Sequence, residues 1–362
     1  MPTRAEILSR AAGLRAQFEA AGAIAVETPI LQSADLLLDL YGEDIRARAY
    51  VTSDALRGEQ MMRPDFTVPV VQMHMNGGAD PARYTYLGEV FRRQEQDPDR
   101  ANEYIQVGYE LFDRADPAAA DAEVYTLIRD AVAGLPLRSA TGDTGLLMAA
   151  VCGLHIGERR RQALLRHIWR PRRFRVLLDR FAGRTSISQA HAALIDASDL
   201  NGYSGPEIGL RQRTEVEARI DALRQDAAEP DLSESELTAL EALLAVQETL
   251  PFAHAQLSDI AVDLPQIQTA VEQLARRTDA MAHLGIDIDT LDFEASYGRT
   301  SMEYYDGFVF GFYAERRPDL PPLATGGRYD ALTRQLGQGQ EIPAVGGVLR
   351  PGLMLELEAT ET

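Results

Sequence analysis

Ile7, Leu8, Ala11, Leu14 and Phe18 recur at helical spacing and predict a helix over residues 4–21 that stops at Gly22. Ile24 to Val26 and Thr28 to Ile30 read as short extended pieces, and residues 33–41 as a helix. From 50 to 71 the pattern is extended, broken by a polar turn at 56–59. Residues 83–91 and 104–112 are rich in aromatic and β-branched side chains. A polar loop over 94–102, containing Pro98, joins them and predicts an antiparallel pair. Between about 120 and 260 the pattern is almost entirely helical, with Ser233 and Glu236 spaced as a capping box. Residues 266–284 form another amphipathic helix. Strand signals return at Ile286, Ile288 and Phe293 and over 307–313. The pairs Gly326-Gly327 and Gly346-Gly347 precede short helices at 329–336 and 350–358.

Strands first, helices in the middle and strands again predict an α+β fold on an antiparallel sheet flanked by helices, not βαβ units. The least strand-like block, about 145–255, reads as a helical insertion in a single domain spanning 1–362.

Composition narrows the function. Hydrophobic residues make up 45% of the 362, enough for a sizeable core. No apolar run approaches a membrane span, and no secretory signal follows the N-terminus, so we expect a cytoplasmic protein. The one cysteine, Cys152, excludes an internal disulfide and a multi-thiolate metal site. The six histidines are scattered without metal-ligand spacing, and no metal or cofactor is expected. A net charge of −19 disfavours general binding to phosphate backbones. Every basic residue is arginine, which excludes Schiff-base lysines and leaves anion recognition to guanidinium forks. The arginine-rich stretch 159–184 is interleaved with Leu164, Leu165, Ile168, Leu177 and Leu178. It reads as a solvated helix face or an acidic-partner surface before an RNA patch.

Three segments offer chemistry. Asp65 and Thr67, read as strand residues two apart, share a side and could accept from a ligand ammonium; an ordinary strand end fits equally. Gln106, Gly108 and Glu110 alternate on one strand face, with room over Gly108 for a ligand; a solvated polar stripe gives the same pattern. Tyr304 and Tyr305, followed by Gly326 to Asp330, bring flat walls and hydroxyls suited to a small aromatic ligand such as imidazole, or simply core tyrosines beside a turn.

Taken in order, these segments resemble histidyl-tRNA synthetase, a class II aminoacyl-tRNA synthetase, along nearly the whole chain. Residues 27–41 and 61–71 look like the class II dimer-interface motif and the stretch after it. Phe91-Arg92 through Glu110 looks like the second motif, and Gly346 to Pro351, with Arg350, like the third. Glu303-Tyr304-Tyr305 and Gly326-Gly327-Arg328-Tyr329-Asp330 look like the two signatures of the histidine enzyme. The resemblance implies that Asp65 and Thr67 grip histidine, that Gln106 and Glu110 hold its α-ammonium, and that Tyr304, Tyr305 and Tyr329 line its pocket. Arg92 would hold carboxylate or phosphate, with Arg100 and Arg350 as further anion contacts.

The departures point away from catalysis, and no catalytic residue is expected. The synthetase signature carries an arginine three residues before the acid of its acidic-Tyr-Tyr run; here Thr300 stands there and Arg299 is one residue off. Such a loss commonly costs roughly 10²- to 10³-fold in rate. Gln94 and Asn102 replace an expected acid and an expected arginine. The third motif lies close to the last residue, Thr362, so no anticodon-binding domain is expected and tRNA binding is disfavoured. This combination resembles the regulatory subunits of short-form ATP phosphoribosyltransferase. The likeness implies histidine as allosteric ligand, a class II homodimer and a hetero-octamer of four regulatory and four catalytic chains. Two other readings stay open on the residues alone: a stand-alone histidine-activating enzyme, and an RNA sensor using the arginine-rich helices.

Overall fold

The structure is a computed structural model describing residues 2–41, 45–94, 100–196, 209, 212–299 and 304–361. The chain begins with α1 (Arg4–Ala20), whose start is set by a capping box between Thr3 and Glu6. Strands β1 (Ile24–Ala25) and β2 (Leu31–Ser33), helices α2 (Ala34–Tyr41) and α3 (Ile45–Arg48), strands β3 (Val51–Asp54) and β4 (Gly58–Met62) and helix α4 (Thr67–Met75) come next. The long hairpin β5 (Ala82–Phe91) and β6 (Glu103–Phe112) leads into α5 (Pro117–Ala131) and β7 (Leu137–Asp143). Six helices then succeed one another: α6 (Thr144–Gly153), α7 (Glu158–Arg166), α8 (Pro171–Phe181), α9 (Gln189–Asp196), α10 (Arg213–Ala228) and α11 (Glu234–Ala245). The chain finishes with β8 (Gln247–Thr249), α12 (Leu250–Asp263), α13 (Gln268–His283), β9 (Asp292–Glu294), β10 (Phe308–Ala314), β11 (Ala324–Arg328), α14 (Asp330–Leu336), β12 (Ala344–Leu349) and α15 (Pro351–Glu361).

Nine strands form one sheet in the order β1-β5-β6-β12-β11-β10-β7-β9-β8. Its centre is antiparallel, as expected; the short pairings β1–β5 and β7–β9 are parallel. Strands β2, β4 and β3 make a separate small sheet. One face of the large sheet carries Val107, Tyr109, Phe310 and Leu349 into a core shared with α1, α5 and α13. The other face carries Tyr86, Phe112 and Val309 into a second core with α4 and α14. Period-two alternation along β6 thus serves two cores at once.

Two expectations need correction. Residues 66–71 are not extended: Thr67 opens α4. Val68, Val70 and Val71 imitate a strand, but Pro69 sits in the first helical turn, where its missing N–H is tolerated. Strand β7 interrupts the helical stretch; its Ser139-Ala140-Thr141-Gly142 core has no apolar alternation to announce it. The two glycine pairs do precede helices, α14 and α15. They lie inside β11 and β12, where Gly326 pairs with Gly347 and Gly327 with Gly346. Of the proposed capping box, the Ser233 hydroxyl accepts the Glu236 N–H at 3.3 Å and donates to its carboxylate at 2.6 Å.

Much of the arginine-rich stretch is consumed inside the chain. Arg160 and Arg180 pair with Asp226 of α10; Arg175 and Arg184 pair with Glu241 of α11. A second set of ion pairs lies beneath the sheet. Asp121 of α5 meets Arg328 at 2.7 Å and Arg277 of α13 at 3.3 Å, and Arg277 reaches Asp143 at 2.7 Å. Asp121 is 2% exposed. Removing one member of a buried ionic set strands its partners without water. Asp121→Ala is therefore expected to destabilise the fold by about 3–5 kcal/mol; urea unfolding with an unchanged midpoint would show the network to be dispensable.

Candidate functional site

The site is built on the face of β6 that bears Tyr104, Gln106, Gly108, Glu110 and Phe112. Hairpin register sets Tyr86 opposite Gly108 and Tyr84 opposite Glu110. A side chain at Gly108 would have its Cβ 2.2 Å from the Tyr86 ring. Gly108 therefore makes room for Tyr86, not directly for a ligand. Two of the four glycines in β11 and β12 work similarly. A Cβ on Gly346 would fall 1.5 Å from the Glu110 carboxylate, and one on Gly327 2.8 Å from the Tyr305 ring. The floor is flat so that large polar side chains can lie on it.

Glu110 is the centre. It is 1% exposed and accepts three hydroxyl hydrogen bonds: from Thr67 at 2.9 Å, Tyr86 at 2.9 Å and Tyr329 at 2.5 Å. Burial pushes its carboxyl up to about 7; the three hydroxyls oppose that shift and the nearby Asp65 adds to it. Burial also holds the hydroxyls of Tyr86, Tyr305 and Tyr329 above their ordinary range, with Glu110 adding to each. Gln106, fully buried, has no hydrogen bond to its Oε1 or Nε2 among the described residues. An amide in that condition costs free energy that a polar ligand would restore.

Asp65 and Thr67 do converge here, though not by sharing a strand face. Thr67 reaches Glu110 from the start of α4, and Asp65 accepts the Val68 N–H at 3.3 Å from the preceding turn. Both are buried. The Tyr304 and Tyr305 rings meet edge-on at 4.9 Å, and Tyr304 and Tyr329 at 6.1 Å. Asp306 anchors their loop by accepting the Asp330 N–H at 2.9 Å at the start of α14.

Beside this cluster opens a cavity of about 860 Å³ lined by Asp65, Arg92, Arg100, Tyr104 and Arg350 among others. Arg92 donates to the Pro64 carbonyl at 2.6 Å and Arg350 to the Pro322 carbonyl at 2.7 Å. Burial lowers the Arg350 guanidinium, Tyr104 opposes that, and the positive charge of Arg92 lowers it further. An anion between the two would be welcome. Arg100 donates to the Asp319 carbonyl at the cavity's rim. Asn102, standing where the resemblance expects an arginine, closes the hairpin by accepting the Gln94 N–H at 2.9 Å. Residues 95–99 and Thr300 lie outside the described residues.

Three participants escape a reading of the sequence. Tyr86 holds Glu110, Phe66 stacks on Tyr86 at 4.3 Å, and Tyr297 lies over Gly311. The alternation of Tyr84 and Tyr86 opposite Gly108 is a usable signal; Phe66 and Tyr297 sit in irregular segments with none. Among the described residues no cluster of histidine, cysteine, aspartate and glutamate could hold a metal ion.

A family model described as histidyl-tRNA synthetase matches residues 2–224 and 216–351. An ATP phosphoribosyltransferase regulatory subunit from Brucella ovis is 32% identical over 352 residues, covering 92% of this chain and 93% of that one. The chain belongs to the family of ATP phosphoribosyltransferase regulatory subunits. Solved structures share the fold. One, titled an ATP phosphoribosyltransferase regulatory subunit/histidyl-tRNA synthetase from Bacillus halodurans, has a TM-score of 0.68 at 20% identity over 99% of this chain and 80% of that one. A histidine–tRNA ligase subunit from Alicyclobacillus acidocaldarius has a TM-score of 0.63 at 22% identity, covering 100% of this chain and 96% of that one. The Glu110 carboxyl, raised by burial and held by three hydroxyls, keeps the cluster under electrostatic tension.

That tension is measurable. Glu110 binds its proton more tightly in the folded chain, near pH 7, than at its ordinary 4.5. Its contribution to stability is thus intact below 4.5 and is lost as pH rises from there through 7. Glu110→Gln should raise the melting temperature at pH 8, with the difference shrinking toward pH 4.5. A variant that melts lower than wild type at pH 8 would contradict the tension.

Proposed function

We propose that this chain is the non-catalytic regulatory subunit of a short-form ATP phosphoribosyltransferase, required by the catalytic chain and conferring feedback inhibition by histidine. The observation that carries the ligand is the pairing of Glu110 with the unsatisfied Gln106 amide on one strand face, beneath the tyrosines. Asp65, Thr67, Gln106, Glu110, Tyr304, Tyr305 and Tyr329 form the histidine pocket. Arg92, assisted by Arg100 and Arg350, takes the carboxylate or another anion from the cavity side.

The surroundings favour dividing the two carboxylates differently from the motif comparison. Asp65 borders the open cavity, whereas Glu110 lies behind it among Tyr86, Tyr305 and Tyr329. Asp65 with Gln106 suits the solvated ammonium end, and Glu110 suits an N–H of the flat imidazole. The small sheet exposes Leu31 and Val51, with Ile30 beside them, and suits the class II contact with a second copy. Four such chains with four catalytic chains give the hetero-octamer. Histidine inhibits by binding the active and inhibited assemblies with different affinity, a coupling of typically about 1–3 kcal/mol.

Steady-state assays test the function. This protein, mixed with a short-form catalytic chain from the same organism, ATP and phosphoribosyl pyrophosphate, should raise phosphoribosyl-ATP formation, and histidine should suppress the rise. A catalytic chain indifferent to its presence would end the reading.

Calorimetry tests the pocket. If imidazole, which titrates near about 6.5, shares one proton with Glu110 near 7, the complex must release a proton below that window and take one up above it. Histidine affinity should then peak between the two values and fall on both sides. A flat plateau above pH 7 would return Glu110 to the ammonium. Glu110→Gln should weaken binding by about 1.5–3 kcal/mol, the range for a charged hydrogen bond; unchanged affinity would remove Glu110 from the pocket.

A further inference from the structure

Tyr297, Gly298 and Arg299 run between the proposed pocket and the helical block. At one end the Tyr297 ring lies on the sheet: a Cβ on Gly311 would be 2.1 Å from its hydroxyl, which meets the Tyr313 hydroxyl at 2.9 Å. Tyr305 and Arg350 are close enough to bear on that hydroxyl, so this end belongs to the rim of the site. Gly298, at φ +87°, turns the chain against Val309, where a side chain's Cβ would stand 2.7 Å from a valine methyl.

At the other end Arg299 is 5% exposed inside the helical block. Its Nε donates to the Ile168 carbonyl at 2.8 Å, and its guanidinium sits 4.8 Å from the centre of the Phe174 ring. Ile168 and Phe174 are core residues of the α7–α8 pair, packed with Leu164 and Leu178. Among the described residues no carboxylate pairs with Arg299, and its Nη2 has no hydrogen-bond partner. Buried Arg160, Arg277 and Arg328 each meet an aspartate, whereas buried Arg63, on the other side of the sheet, is held by carbonyls over the Phe66 ring. A buried, uncompensated guanidinium is a destabilising anchor, and structure of this kind persists where it sets a conformational balance.

We propose that Tyr297-Gly298-Arg299 is a strap that conveys occupancy of the pocket to helices α7 and α8, and so to whatever surface the helical block presents in the assembly. The inference rests on the histidine reading above. A ligand that displaces the Tyr305 and Tyr297 rings moves the strap, and the single Arg299 bond to Ile168 shifts. Because the buried guanidinium is costly to leave without that bond, the α7–α8 pair follows it and occupancy of the pocket biases where the pair sits.

Hydrogen–deuterium exchange of the full chain, with and without saturating L-histidine, tests this. Wild type should show slowed exchange in β6 and altered exchange across α7–α8. Arg299→Leu should bind histidine as well as wild type and keep the β6 response but lose the α7–α8 response. In the reconstituted enzyme its half-inhibitory histidine concentration should rise about tenfold, a usual size for a lost coupling. A β6 response without any α7–α8 response in wild type would overturn the strap while leaving the pocket intact. So would an α7–α8 response that survives in Arg299→Leu. Absence of histidine binding in wild type would instead remove the pocket reading, and the strap with it. Should Arg299→Leu fail to fold, Phe174→Leu, which removes the ring beneath the guanidinium, carries the same expectations.

Discussion

A carboxylate buried under three hydroxyls organises this molecule. Glu110 is held by Thr67 from α4, Tyr86 from β5 and Tyr329 from the approach to α14. Those three donors lie up to 219 positions from Glu110 in the chain. Their convergence demands the hairpin register, the cross-strand glycines and the placement of α4 at once. Gly346 carries no side chain because the Glu110 oxygens occupy its place, and Gly108 carries none because Tyr86 does. The apolar face of the sheet could be repacked in many ways. The polar face cannot, because an unsatisfied hydroxyl or carboxylate in that position costs more than a lost contact.

The same restriction governs the cations. A chain of net charge −19 with only arginine for positive charge commits most of its guanidinium groups to fixed geometry. Arg277 and Arg328 lock α5 and α13 to the strand ends through Asp121, and Arg160 and Arg180 tie α10 to the α7–α8 pair through Asp226. Planar forks suit such buried positions better than a point charge does. Arg92 and Arg350 differ, since they donate to main-chain carbonyls and line a cavity.

How much the sequence discloses depends on the physics of each signal. The β5–β6 hairpin is legible because both strands are rich in aromatic and β-branched residues and β6 alternates apolar with polar ones, even though β6 is buried on both faces. Gln106 and Glu110 are legible for the same reason. Asp65 and Thr67 stand out as residues, but their pattern points to the wrong element. Three valines around Pro69 obey strand preference, and tertiary packing overrides it by starting α4 there. Strand β7 is invisible because its small residues answer to a close neighbour: Gly142 lies against Glu294 and Tyr297. The glycine pairs are conspicuous, yet their meaning is hidden. Only the register shows that Gly327 and Gly346 make room on the site face while Gly326 and Gly347 make room on the apolar face. Sequence patterns report a residue's own periodicity and are silent about which strand lies beside it.

The departures from the synthetase pattern gain a physical meaning from where the altered residues went. Asn102 is occupied in closing the hairpin, and Arg299 is buried against Phe174 and Ile168 instead of facing the cavity. Transition-state stabilisation needs donors fixed where charge develops, and these two positions no longer offer them. Binding asks for less. On the proposed reading, the Glu110 cluster, the Gln106 amide and the Arg92–Arg350 pair are the groups a bound ligand would meet. A site that keeps its unsatisfied groups and gives up its reactive ones stores free energy that only occupancy can release. Through a segment anchored as tenuously as Arg299, that release can reach helices with no contact to the ligand.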